Sequence, residues 1–212
     1  MRRFCLLIWF LSGILLQVWG FPKVIFPGDY PDPSILRDGK DYYMTHSPFY
    51  YAPGFLIWHS TDLMHWEPVC RALPEYEGSA MAPDLLKYQG RYYLYYPTST
   101  GENYVIYADD IRGPWSKPVK LEVTGIDPGH VIGEDGKRYL FTNNGWITPL
   151  SEDGLKVIGQ SRKVYDGWKY PANWVTEGKN MYLESPKLIR KDGYYYMISA
   201  EGGTAGPATS HM

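Results

Sequence analysis

Four stretches of this chain repeat one pattern, and the repetition limits the fold more than any other feature. Each starts at an acid or a proline, passes through an apolar pair into a polar turn with glycine, and ends in an aromatic run. They are Asp32-Pro-Ser-Ile-Leu-Arg-Asp-Gly-Lys-Asp-Tyr-Tyr and Ala82-Pro-Asp-Leu-Leu-Lys-Tyr-Gln-Gly-Arg-Tyr-Tyr. The third is Asp127-Pro-Gly-His-Val-Ile-Gly-Glu-Asp-Gly-Lys-Arg-Tyr, and the fourth Glu184-Ser-Pro-Lys-Leu-Ile-Arg-Lys-Asp-Gly-Tyr-Tyr-Tyr. The turn glycines Gly39, Gly90, Gly136 and Gly193 follow one another at intervals of 51, 46 and 57 residues. Each stretch predicts a β-hairpin, with glycine supplying the positive φ that a tight turn needs.

A second element recurs between these hairpins. Phe55-Leu-Ile-Trp-His-Ser-Thr-Asp-Leu-Met-His-Trp66 is a strand, then Ser-x-Asp, then Trp. Val105-Ile-Tyr-Ala-Asp-Asp-Ile-Arg-Gly-Pro-Trp115 repeats it with one residue more, and Leu150-Ser-Glu-Asp-Gly-Leu is a degenerate third copy. Two hairpins per period of about 50 residues make about four strands, the size of one blade of a β-propeller. No stretch beyond the N-terminus sustains helical periodicity, so the fold class is all-β. The aromatic share of 17%, carried mostly by 20 Tyr and 8 Trp, suits strands and also suits surfaces that stack on sugar rings. A net charge of −2 gives no footing for nucleic acid or an anionic membrane surface.

The N-terminus reads as an address. Arg2 and Arg3 precede an apolar run from Phe4 to Val18 that closes at Gly20, the layout of a secretory signal peptide over residues 1–20. The run is short for a membrane span, a retained anchor being the alternative reading. Cys5 leaves with such a leader and Cys70 stays alone, so no internal disulfide forms; no Cys/His spacing resembles a zinc site.

Propeller geometry gives the acids a meaning. Innermost strands line the central channel, so residues at their entrances converge from distant parts of the chain. Asp32, Asp127 and Glu184 stand at the start of the first strand of their repeats, whereas Asp84 lies two residues further along and is expected to face elsewhere. One acid beside proline or serine often only caps a turn. Three at matching places predict a common pocket.

With these residues in place the chain resembles glycoside hydrolase family 43, whose members include β-xylosidases and α-L-arabinofuranosidases. The resemblance is carried in order by Tyr30-Pro-Asp-Pro-Ser-Ile, Thr45-His-Ser-Pro-Phe, His59-Ser-Thr-Asp-Leu-Met-His-Trp, Ala82-Pro-Asp-Leu, Gly125-Ile-Asp-Pro, Glu184-Ser-Pro-Lys-Leu and Ala200-Glu-Gly-Gly-Thr. It covers residues 21–212 and implies a five-bladed β-propeller that hydrolyses O-glycosidic bonds in plant cell-wall poly- and oligosaccharides with inversion. Asp32 resembles the general base, Glu184 the general acid, and Asp127 the acid that orients Glu184 and raises its pKa by like-charge repulsion. Phe49 resembles an aromatic wall of the sugar subsite, against ordinary loop packing, and His211 falls where relatives place a pocket-lining histidine. No cofactor is required by this chemistry, although a central calcium accompanies the fold in some members.

Two departures stand out. Met81 occupies a position where many relatives carry Trp, which removes a stacking surface. Met212 follows Gly193 by only 19 residues, so about three and a half blades are expected, with fifth-blade residues outside the sequence. An inactive, sugar-binding propeller is therefore one competing reading. The other, a retaining invertase-like fructan hydrolase, is opposed by Tyr-Pro-Asp-Pro at 30–33 and by the lack of any Arg-Asp-Pro.

Overall fold

The computed structural model describes residues 24–76, 78–167 and 183–201. Residues 1–20, read from sequence as a signal peptide, and His211 lie outside the described residues. Each full repeat folds as a four-stranded antiparallel meander. The first sheet holds β1 (Ser34–Asp38), β2 (Asp41–Thr45), β3 (Gly54–Ser60) and β4 (Glu67–Leu73), hydrogen-bonded in that order. The second holds β5 (Asp84–Tyr88), β6 (Arg91–Pro97), β7 (Asn103–Ala108) and β8 (Val119–Leu121). The third holds β9 (Gly129–Ile132), β10 (Arg138–Thr142), β11 (Trp146–Leu150) and β12 (Arg162–Lys163). The fourth repeat contributes the hairpin of β13 (Leu183–Lys191) and β14 (Tyr194–Glu201).

The hairpin turns obey their sequences. Gln89-Gly90 and Asp192-Gly193 each place two successive residues at positive φ, the pattern of a two-residue turn whose twist matches its flanking strands. The Ser-x-Asp element also has a structural basis. Ser60 and Asp62 in the first sheet collect the N–H groups of Leu63, Met64 and His65. In the third, Ser151 accepts from Lys156 N–H and Asp153 from Leu155 N–H, so the degenerate copy keeps the Ser and Asp as backbone acceptors over a longer turn.

The sheets stack face to face, and β6 shows why. Its sequence Arg-Tyr-Tyr-Leu-Tyr-Tyr-Pro alternates by strand geometry, yet both faces are apolar. Tyr92, Leu94 and Tyr96 pack with Phe55, Ile57 and Leu73 of the first sheet. Tyr93 and Tyr95 pack with Leu140 and Leu150 of the third. A strand covered on both sides reads as a continuous hydrophobic run, and each such side chain contributes about 1.5–3 kcal/mol on burial. In the second interface the buried Arg138 guanidinium lies against the rings of Tyr88 and Tyr93, at 4.7 and 4.2 Å. It donates to His130 Nε2 at 3.0 Å and to the Tyr95 hydroxyl at 3.0 Å.

The inner strands β1, β5, β9 and β13 meet around one cavity of about 260 Å³, lined by Ser34, Asp84, Gly129 and Lys187. Those four residues share one repeat position. Each lies two places after a left-handed residue that precedes a proline: Asp32, Ala82, Asp127 and Ser185, at φ 53°, 41°, 58° and 50°. Asp84 hence faces this axial cavity, where the sequence pattern expected it to face elsewhere.

Candidate active site

Left-handed backbone at a residue with a side chain costs on the order of 1–3 kcal/mol and persists only where the surroundings impose it. Here it recurs at the same place in all four repeats, where the chain enters each inner strand. The recurrence corrects the register expected from sequence. Asp32 and Asp127 are equivalent, but their counterpart in the fourth repeat is Ser185; Glu184 stands one residue earlier, matching Pro31, Met81 and Ile126. The reason is one residue more between the acid and its proline, Glu184-Ser185-Pro186 against Asp127-Pro128, which β13 takes up in a β-bulge. Glu184 pairs with Ala200 while Lys187 pairs with Ile198, so β13 carries one extra residue. Glu184 joins the mouth as part of β13, rather than from the turn ahead of it.

Three different environments result. Asp32 is exposed and its Oδ2 accepts a short hydrogen bond from the Ser47 hydroxyl. Ser47 is buried, takes the Ala82 N–H on its Oγ at 2.6 Å, and donates its own N–H to Pro31 O at 2.9 Å. The carboxylate of the first repeat is thereby indexed to the backbone of the second. Asp127 is buried, and its Oδ2 accepts the Ser185 N–H at 3.2 Å, which ties it to the residue next to Glu184. Burial raises the Asp127 pKa most; the charges of Glu184 and Asp32 raise it further, against the Ser185 N–H and the Lys187 charge. Glu184 is half-buried, its carbonyl held by the Ser199 hydroxyl at 2.9 Å.

Among these acids Asp127 therefore keeps its proton to higher pH than an isolated aspartic acid would. Such a set of acids can present a protonated carboxyl and an ionised carboxylate together, the pair that glycoside hydrolysis requires.

Phe49 sits beside this mouth. Its N–H donates to Ala80 O at 3.0 Å, and its half-buried ring lines a cleft of about 560 Å³ with Tyr30, Trp58, Pro31 and Ser47. Pro31 and Ser47 also flank Asp32, so the aromatic cleft opens next to that acid. His211 lies outside the described residues and is not placed.

Sequence reasoning passed over Ser47, Lys187 and Gly129. The signal that finds the last two is alignment of the repeats on Pro33, Pro83, Pro128 and Pro186, rather than on the acids. Lys187 Nζ donates to Asp84 Oδ1 at 2.9 Å and Pro128 O at 2.8 Å, with Pro83 O at 3.4 Å. The resemblance raises a central calcium, and these oxygens do not fit one. The inward carboxylate and carbonyls already face an ammonium group, and a divalent ion among them would meet its charge. Among the described residues no three His, Cys, Asp or Glu side chains gather as a metal-binding group.

Four-stranded meanders gathered about a common axis define a β-propeller fold. The model for glycosyl hydrolases family 43 matches residues 21–212, and the chain belongs to that family. It is 34% identical over 207 residues to a xylosidase/arabinosidase of Butyrivibrio fibrisolvens, covering 85% of this chain and 38% of that protein. A xylan 1,3-beta-xylosidase of a Vibrio species is also 34% identical, with the same coverage of each chain. Among solved structures, a xylan beta-1,4-xylosidase from Bacillus halodurans superposes with a TM-score of 0.71 at 34% identity, over 85% of this chain and 38% of the other. The chain thus spans about 38% of the length of these relatives.

Proposed function

We propose that this protein hydrolyses O-glycosidic bonds in plant cell-wall oligo- and polysaccharides with inversion, as a β-xylosidase or an α-L-arabinofuranosidase acting outside the cytoplasm. The observation that carries the reading is that acids from two other repeats act on the buried carboxyl of a third. Asp127 is buried between the strands, and the charges of both Glu184 and Asp32 reach it. Asp32, exposed and oriented by Ser47, serves as the general base that draws a proton from water. Glu184, on β13, gives its proton to the leaving oxygen. Asp127 fixes the backbone beside Glu184 through the Ser185 N–H. Inversion needs about 6.5–9.5 Å between base and acid, so that water fits on the far face of the sugar. Phe49 supplies an apolar surface to the ring.

The full fold is a five-bladed propeller, of which these residues form about three and a half blades. Support comes from β14, whose Tyr-Tyr-Tyr-Met-Ile-Ser-Ala-Glu sequence is as aromatic as β6. Tyr194, Tyr196 and Ile198, with Ile189 of β13, nevertheless remain 50–68% exposed on one face. The leader beginning at Arg2 and Arg3 would carry the chain to the substrate. The test is Asp32→Asn and Glu184→Gln in the full-length protein. Each should lower turnover of a natural glycoside by about 10²–10⁴-fold or more with the fold intact, and Glu184→Gln should recover partly on aryl glycosides with good leaving groups. Proton NMR of the first product should show the inverted anomer. Rates near wild type for either variant on a natural glycoside, or a retained anomer, would overturn the reading.

A further inference from the structure

The four residues that enter the axial cavity at one repeat position differ in chemistry: Ser34, Asp84, Gly129 and Lys187. The first two make the same contact to the next sheet. Ser34 Oγ accepts the Leu85 N–H at 3.0 Å, and Asp84 Oδ2 accepts the His130 N–H at 2.8 Å. Gly129 cannot continue the series, and the space its side chain would fill is taken. A Cβ there would lie 1.9 Å from Pro186 O, so the fourth inner strand presses directly on the third. Over that gap Lys187 reaches back, past Pro128 O, to the free Asp84 Oδ1 two sheets away. A negative charge, a gap and a positive charge at successive turns of the axis form one device.

We propose that Lys187 is a tethered cation on the propeller axis, which pins the strand carrying Glu184 against the second and third sheets and takes the oxygens a metal ion would otherwise occupy. Lys187 is three residues from Glu184 on β13, with the bulge between them. Its two short contacts bear on separate sheets, at Asp84 and Pro128, so they set both the height and the inward position of β13. Misplacing a catalytic group by about 1 Å can cost on the order of 10²-fold in rate. Lys187 is therefore a positioning residue. It acts on Glu184 through the strand, and on Asp127 through its charge. The inference rests on the proposed glycosidase only for the consequence at Glu184; the tether itself is read from stability.

The experiment compares wild type with Lys187→Ala, which removes three methylenes and the ammonium. Propylammonium has the same atoms, and 1-propanol has similar size without charge. Wild-type Tm and kcat should be unmoved by EDTA or by millimolar calcium. Lys187→Ala should lower Tm and reduce kcat by about 10- to 100-fold with little change in KM. Propylammonium should restore part of both, and 1-propanol neither. A fall in wild-type Tm with EDTA, Lys187→Ala indistinguishable from wild type, or rescue that is absent or equal with 1-propanol would each overturn the tether. An inactive wild type would count against the glycosidase reading alone, and the Tm comparison would still decide the role of Lys187.

Discussion

Gly129→Ala is the sharpest probe of how the site is held. The backbone at Gly129 lies outside the left-handed region, so alanine costs nothing in conformation there. What it adds is one methyl carbon, placed 1.9 Å from Pro186 O. Real Cβ atoms essentially never come within 3.0 Å, so β9 and β13 must separate by about 1.1 Å. The obstacle is a carbonyl of the backbone and cannot swing aside as a side chain would. The same movement stretches the Lys187 contacts to Pro128 O and Asp84, now 2.8 and 2.9 Å. Overpacking of this kind costs about 1–3 kcal/mol in stability. Glu184 travels with β13 while Asp32 stays with the first sheet, so the separation of acid and base changes by about as much. A displacement near 1 Å should reduce kcat by about 10²-fold. The assay is steady-state hydrolysis of an aryl β-D-xyloside and an aryl α-L-arabinofuranoside by the full-length variant, beside its Tm. A soluble Gly129→Ala protein with wild-type kcat and Tm would refute the reasoning, because it would show that the two strands are not in the contact described.

Two further outcomes follow from buried ionisable groups. Burial and the neighbouring Arg138 charge hold the His130 imidazole down to about 4, with Nε2 accepting from Arg138. The unfolded chain, titrating near 6.5, then binds more protons, so stability should fall as pH drops from about 6.5 to 4, by about 3 kcal/mol in all. Urea midpoints against pH should show that slope in wild type and lose it in His130→Gln; equal slopes would contradict the assignment. The Asp127 carboxyl has the opposite linkage. Its pKa is raised by burial first and then by Glu184 and Asp32, so its contribution is favourable below the ordinary carboxylate range and is lost as pH rises through the raised value. Asp127→Asn should therefore raise Tm at neutral pH while lowering kcat, a trade-off visible in one thermal scan and one rate measurement; a lowered Tm would count against it.

Much of this was legible in the residues themselves. Turn glycines, alternating aromatics and Ser-x-Asp turns act over a few positions, so Gly39, Gly90, Gly136 and Gly193 marked four hairpins, and repeat spacing predicted four strands per unit. An acid beside Pro or Ser at a strand entrance is likewise a local pattern, which is why Asp32, Asp127 and Glu184 could be singled out. Register was less plain. Aligned on their acids the repeats put Glu184 level with Asp32 and Asp127; the extra residue before Pro186 sets it one place earlier, and only the pairing across the hairpin shows β13 absorbing it as a bulge. The aromatic runs of β6 and β14 look alike, yet one is sealed on both faces and the other exposes Tyr194 and Tyr196. Burial belongs to the neighbours and not to the strand. Asp84 and Lys187 stand 103 residues apart, and Gly129 meets Pro186 only when the inner strands gather at the axis. Local chemistry thus determined the hairpins and named the acids. Only close packing around the axis decided where each acid stands and what holds it there.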